Sequence, residues 1–174
     1  MYYEIKTRRL LLRPLDISDA ESVHQYASDD ETTQFMQWLP NHTKEETLAF
    51  LQNVTAEWKK EQPRCYEFAM VLDGRQIGAV SVALDESREV GELGWIVHKA
   101  WQKQGYALEA ARAVRDFALH QLKVKKLVAT CDARNSSSYR LMEKLGLQRE
   151  PGVTTRQYYK RDETAEELTY AIDC

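Results

Sequence analysis

The sequence predicts an α+β fold: a mixed, mostly antiparallel sheet with a central parallel strand pair, flanked by helices. Three observations carry that expectation. Runs at 65–73, 76–84 and around 92–98 alternate residues at a period of two and are joined by short turns, as in an antiparallel meander. A helix pattern from about 105 to 121 leads into a β-rich run at 126–132, and a strand–helix–strand crossover of this kind joins parallel strands. Two more helix patterns precede the meander.

The elements follow in chain order. Residues 3–14 end in TRRLLLRPL, where Leu10 and Leu12 alternate with Leu11 and Arg13 before Pro14 stops the ladder, so a first strand is expected. Ser18 and Glu21 have capping-box spacing, and Val23, Tyr26 and Ala27 supply the apolar stripe of a helix. Thr43 and Glu46 form a second box, opening a helix to about residue 60 with Leu48, Leu51, Thr55 and Trp58 on one face. Between these helices, residues 28–42 are irregular and bring Phe35, Met36, Trp38 and Leu39 next to Asp29, Asp30 and Glu31. This stretch can wall a pocket, or its aromatics can plug the core while its acids cap a short helix. Asp73-Gly74 supplies a tight hairpin turn and residues 85–88 a polar one. Asn135 is placed to cap a helix running to Leu145, with Gly146 just past its end, and runs at about 153–161 and 167–172 finish the sheet as a hairpin.

At 174 residues, residues 1–174 are read as one domain that needs no staples. The 43% hydrophobic and 29% charged content suits a globular chain, and a net charge of −3 gives no bulk attraction to nucleic acid. No apolar run approaches membrane-spanning length and the N-terminus has no signal-like core, so a cytoplasmic protein without membrane contact is expected. Cys65, Cys131 and Cys174 are odd in number and widely spaced, and His24, His42 and His120 offer no ligand spacing, so no metal site is expected.

The chemistry gathers in residues 92–109, ELGWIVHKAWQKQGYALE. A strand ends, and from Gln102 through Lys103, Gln104, Gly105, Tyr106 and Ala107 the chain turns into a helix. Small residues let the backbone approach a ligand closely, and the free N–H groups of a helix start suit phosphate oxygens.

Gln102-x-x-Gly105-x-Ala107, followed about 30 residues later by NSSSYRLMEKLGL from Asn135, resembles the GCN5-related N-acetyltransferases (GNAT). The opening TRRLLLRPL and the ending EELTYAI are similar to the ribosomal-protein alanine acetyltransferase-like branch, so the resemblance spans nearly the whole chain. It implies the acyl-CoA N-acyltransferase fold, with two parallel strands splayed around a thioester, and transfer of acetyl from acetyl-CoA to an amine in a ternary complex. The acceptor it implies is a primary amine, on a protein N-terminus or a small molecule, and the assembly a monomer or homodimer.

The resemblance also distributes roles. Ile96, Val97, the residues from Gln102 to Ala107, Asn135 and Ser138 fall at cofactor-binding positions, with N–H groups near Ile96 and Val97 available to an oxyanion. An alkyl amine is protonated at neutral pH and must lose its proton before attack, and Glu92 is the candidate base. The leaving thiolate gains from a proton donor. Many relatives place a tyrosine seven residues after the asparagine, where this chain has Met142. Ser138 is the donor by analogy with the resembling branch, and Tyr139 is a weaker substitute about 100° round the helix. Lys99, Lys103, Arg134, Arg140 and Lys144 are basic residues near the motifs, and His98 ends the strand. The missing tyrosine keeps a second reading open, a coenzyme A-sensing module with little catalysis. A nucleotide-binding domain is disfavoured, because the meander precedes the glycine turn and no acidic ribose reader follows.

Overall fold

The computed structural model describes residues 2–174, and its strands form one nine-stranded sheet. In chain order the elements are β1 (Ile5–Lys6), β2 (Leu11–Pro14), α1 (Ala20–Ala27), α2 (Asp30–Thr33), α3 (Lys44–Trp58), β3 (Cys65–Leu72), β4 (Arg75–Leu84) and β5 (Val90–Val97). They continue with α4 (Tyr106–Phe117), β6 (Lys126–Asp132), α5 (Ser136–Lys144), β7 (Gln148–Arg149), β8 (Thr154–Gln157) and β9 (Thr164–Asp173). The sheet runs β1-β2-β3-β4-β5-β6-β9, with β7 and β8 sharing the far edge of β9. Every pairing is antiparallel except β5 with β6, so the mixed sheet with one parallel pair is the architecture the sequence predicted.

Several local expectations are corrected. The first strand is two short ones, because the Thr7 hydroxyl and backbone both bond to Leu10 and fold residues 7–10 into a turn. The cap before α1 is not Ser18 with Glu21. Asp16 accepts the Ser18 N–H, Asp19 accepts the Asp16 N–H at 3.1 Å, and a 3-10 turn (Ile17–Asp19) precedes the helix. Asp19 is committed inward by a two-pronged Arg13 contact at 2.7 and 2.8 Å, which leaves Glu21 to an exposed contact with Lys44.

The Thr43–Glu46 box stands as expected, but the buried face of α3 is Thr47, Leu51, Val54 and Trp58, and Leu48 is exposed. Thr47 turns inward because His24 and the Asn41 amide both bond its hydroxyl. The alternation in β3 sends Tyr66 and Phe68 to one face. Trp58 of α3 and Phe117 of α4 meet them edge to face, with centroids 5.1 to 5.4 Å apart. Asp73 and Gly74, at φ 48° and 80°, make the β3–β4 hairpin turn.

What positions the site is an interruption. β5 pairs with β6 only from Val90↔Lys126 to Glu92↔Val128. Beyond that row β5 stays on β4 as far as Val97, and β6 stays on β9 as far as Asp132. The two central strands therefore part, and each is held by its outer neighbour.

Candidate active site

A cavity of about 600 Å³ opens where β5 and β6 part. Glu92 through Val97 form one wall, and Thr130 and Cys131 stand opposite. Glu92 occupies the last paired row and is solvent-exposed, and the Thr130 hydroxyl donates to it at 3.3 Å. Sequence reasoning missed Thr130. Its signal was the alternation in KLVATCD, which puts Thr130 on the same face as Val128, the register partner of Glu92.

Strand alternation also sorts the backbone donors. The His98 N–H bonds Ile77 in β4, so Ile96 addresses β4 as well, and the intervening Val97 N–H points to the side that β6 has left. The open N–H thus belongs to Val97, and Ile96 lines the cavity by position only.

Past β5, Lys103 at φ 60° and Gly105 at φ 82° place left-handed residues on either side of Gln104 and turn the chain tightly into α4. The first bond within α4 runs from the Glu109 N–H to the Gly105 carbonyl, leaving the N–H groups of residues 106–108 without helical acceptors. Gly105, Tyr106 and Ala107 border the cavity, as do Gln102 and Lys103. The Gln102 side chain donates to the Val97 carbonyl at 2.9 Å and ties the turn to the end of β5. The Gln104 side chain turns back to the Ala100 carbonyl and lies outside the lining.

The third wall is the start of α5. The Asn135 carboxamide accepts the Ser138 N–H at 3.2 Å, so it caps the helix from a place bordering the cavity. Ser138 lines the cavity beside Cys131, whereas Tyr139 does not line it and Met142 is buried in the core. Burial pushes the Cys131 thiol up to about 11, against the lowering influence of Arg156 and the Ser138 hydroxyl. Arg140 and Lys144 line the cavity, but Lys99 is engaged by Asp29 and Arg134 by Asp132 and Glu163. His98 accepts the Ala100 N–H, and burial and nearby Arg75 lower its pKa.

The irregular stretch walls the cavity and caps a helix, but its aromatics do not plug the core, and Trp38 is exposed. Phe35 and Met36 wall the cavity, while Asp29 caps α2 by accepting the Thr32 N–H. The wall is held from the far end of the chain. Arg156 donates to the Phe35 carbonyl at 2.9 Å and pairs with Glu167 at 2.8 Å, Arg161 bonds the Gln34 carbonyl, and the Tyr159 N–H bonds Gln37 at 2.8 Å. Beneath lies fully buried Asp132, which accepts from the Tyr158 hydroxyl at 2.5 Å and from Arg134. Burial would raise its pKa, but those bonds outweigh burial and set it at about 2. Its stabilising effect is complete above roughly pH 4 and lost as pH falls toward 2. Denaturation of Asp132→Asn across that range should show a shallower acid-side decline than the parent.

Glu67 behaves in the opposite sense. Burial pushes its carboxyl up to about 7, although the Ser81 hydroxyl pulls it down. It does not line the cavity, but its row crosses Ser81 to the cavity residue Gly94. A carboxyl raised in the folded state loses stability as pH climbs from its ordinary value through 7. Glu67→Gln should therefore be more stable than the parent at pH 8, by at most about 3 kcal/mol, and the gap should close below pH 5 in a denaturant titration.

Comparison with known proteins converges on one family. The model of the acetyltransferase (GNAT) domain matches residues 9–148. The uncharacterized N-acetyltransferase YnaD of Bacillus subtilis (strain 168) is 30% identical over 172 residues, covering 97% of this chain and 95% of that protein. The crystal structure of a GNAT-family acetyltransferase from Bacillus anthracis is 30% identical, with a TM-score of 0.83 and 98% of each chain covered. RimL, a ribosomal L7/L12 alpha-N-protein acetyltransferase solved in complex with coenzyme A, shares the fold at a TM-score of 0.85 and 18% identity, again with 98% of each chain covered.

Proposed function

We propose, since the chain belongs to the acetyltransferase (GNAT) family, that this N-acetyltransferase passes acetyl directly from acetyl-CoA to a primary amine in a ternary complex. The observation that carries the reading is the end of β5–β6 pairing at Glu92↔Val128. It opens a slot with an anion cradle on one side and an exposed carboxylate on the other.

The residues present fit the donor. The N–H groups of the 103–108 turn suit a pyrophosphate, and lining residues Arg140 and Lys144 of α5 add positive charge to the cavity. Bound acetyl-CoA supplies the activated acetyl group. Asn135 and Ser138 border the path between strands, and the Val97 N–H is the donor available to charge developing on a carbonyl oxygen. Glu92 takes the ammonium proton, directly or through water, with Thr130 orienting its carboxylate. Ser138, rather than buried Met142, offers a hydroxyl for the departing sulfur.

Direct transfer is favoured over an acetyl-cysteine route. With its pKa at about 11, Cys131 is thiolate in only about one molecule in 10⁴ at pH 7. The acceptor enters along the wall of Phe35 and Met36. Protein N-termini and small amines are both admitted, and one copy of the chain carries every group named. The three free cysteines suit a reducing cytoplasm. Among the described residues, no helix is long and apolar enough to cross a membrane.

The test is an acceptor panel read by coenzyme A release, with mass spectrometry of the product and initial rates at varied concentrations of both substrates. Intersecting double-reciprocal lines are expected. Parallel lines would replace the ternary complex with a covalent intermediate, and binding without release against every amine would favour the sensing reading.

A further inference from the structure

The N-terminal TRRLLLRPL motif contributes nothing to the cavity lining, yet it reaches the turn that forms the cradle. Arg9 in the β1–β2 turn meets the start of α4. Its backbone N–H and its Nε donate to the two oxygens of Glu109 at 2.7 Å each, and the Thr7 hydroxyl adds a bond at 2.6 Å. The same guanidinium donates through Nη1 to the Gln104 carbonyl at 2.9 Å and stacks 4.3 Å from the centroid of the Tyr106 ring. One side chain thus grips the residues on both sides of Gly105, and a Cβ on Gly105 would come within 3.3 Å of Arg9 Nη2.

The peptide between Gln104 and Gly105 gives this grip a consequence. In a planar trans peptide the carbonyl and the following N–H point in opposite directions. Drawing the Gln104 carbonyl toward Arg9 turns the Gly105 N–H away from Arg9, and Gly105 itself borders the cavity. Glu109 fixes where the guanidinium sits, and its own place is fixed by the Thr7 hydroxyl as well as by Arg9.

We infer that Arg9, held by Glu109 and Thr7, is a positioning residue that orients the Gln104–Gly105 peptide and so sets the pyrophosphate cradle of the donor site. This rests on the acetyl-CoA reading above. The positioned element is specific to the pyrophosphate, so its loss separates donors. S-Acetylpantetheine carries the thioester but no pyrophosphate, and it serves as the internal reference.

Arg9→Gln should raise KM for acetyl-CoA about tenfold, the scale of one or two charge-assisted bonds lost from an anion site, and should act on that KM rather than on kcat. Selectivity for acetyl-CoA over S-acetylpantetheine should fall by the same factor. Glu109→Gln, which keeps the shape of the side chain, should reproduce the effect, and the double variant should add little to either single change. Arg9→Lys should restore only part of it, because one ammonium cannot fork to Glu109 and Gln104 while stacking on Tyr106.

Melting curves accompany each variant. A drop in melting temperature with the donor ratio intact overturns the inference, as does an equal loss with both donors. Calorimetry with coenzyme A reads the same tenfold ratio without an acceptor, so a failed acceptor panel and a failed role for Arg9 are distinguishable. A parent protein that binds no coenzyme A overturns both.

Discussion

Glu92→Gln is expected to lower kcat/KM at neutral pH by about 10² to 10⁴, the range a positioned general base contributes. The substitution keeps the size of the side chain and its place in the last paired row of β5 and β6, so fold and donor binding should survive. What it removes is the carboxylate on β5 that Thr130 holds and that is proposed to relieve an ammonium of its proton. The deficit should shrink as pH rises toward the acceptor's own pKa, near 10 for an alkyl amine, because the solvent then supplies neutral amine unaided. Rate profiles of parent and variant from pH 6 to 10 check this. Equal rates throughout would remove Glu92 from the chemistry, and a constant deficit would make it a residue for acceptor binding alone.

Gly78→Ala is expected to be the most damaging of the glycine-to-alanine changes. A Cβ at this β4 position would lie 2.3 Å from the Ile96 carbonyl oxygen and 3.0 Å from the Val97 Cα, both backbone atoms of β5. No rotamer relieves a clash with backbone, so β5 must move off β4 or the sheet must open. A loss of about 3 kcal/mol or more follows, a size that marks overpacking of this kind. The same shift would carry Val97 and the turn behind it away from their present places, because Gln102 is bonded to the Val97 carbonyl. Thermal melting and coenzyme A affinity should therefore fall together. A variant with parental stability would show that the β4–β5 register is looser than the structure has it.

The two motifs and the meander were legible because each is local. Period-two runs, a hairpin glycine and a capping asparagine announce themselves within a few residues, and the Gln102 to Ala107 turn lies where its glycine and helix start put it. The resemblance then joined two distant segments into one site. The split of the first strand was hidden because β1 has only two residues and no readable period, and β7 escaped for the same reason. Leu48 was preferred to Thr47 because hydrophobicity was visible and the partners His24 and Asn41 were not.

The parts of the site that stayed out of reach depend on contacts across the chain. Arg156 meets Phe35 over a separation of 121 residues, and Arg9 meets Glu109 over 100. Thr130 faces Glu92 only because β5 and β6 are parallel in one particular register. The resemblance implied that the two strands splay, but no local pattern fixes the row, Glu92↔Val128, at which their pairing stops. Past that row the outer neighbours β4 and β9 keep their pairings while the centre parts.

The most direct test of this account is a crystal structure of the protein with coenzyme A bound. The pyrophosphate should lie on the N–H groups of residues 103–108, with the pantetheine arm between β5 and β6 past Asn135 and the sulfur between Val97 and Ser138. Coenzyme A bound anywhere outside the gap between β5 and β6 would contradict it.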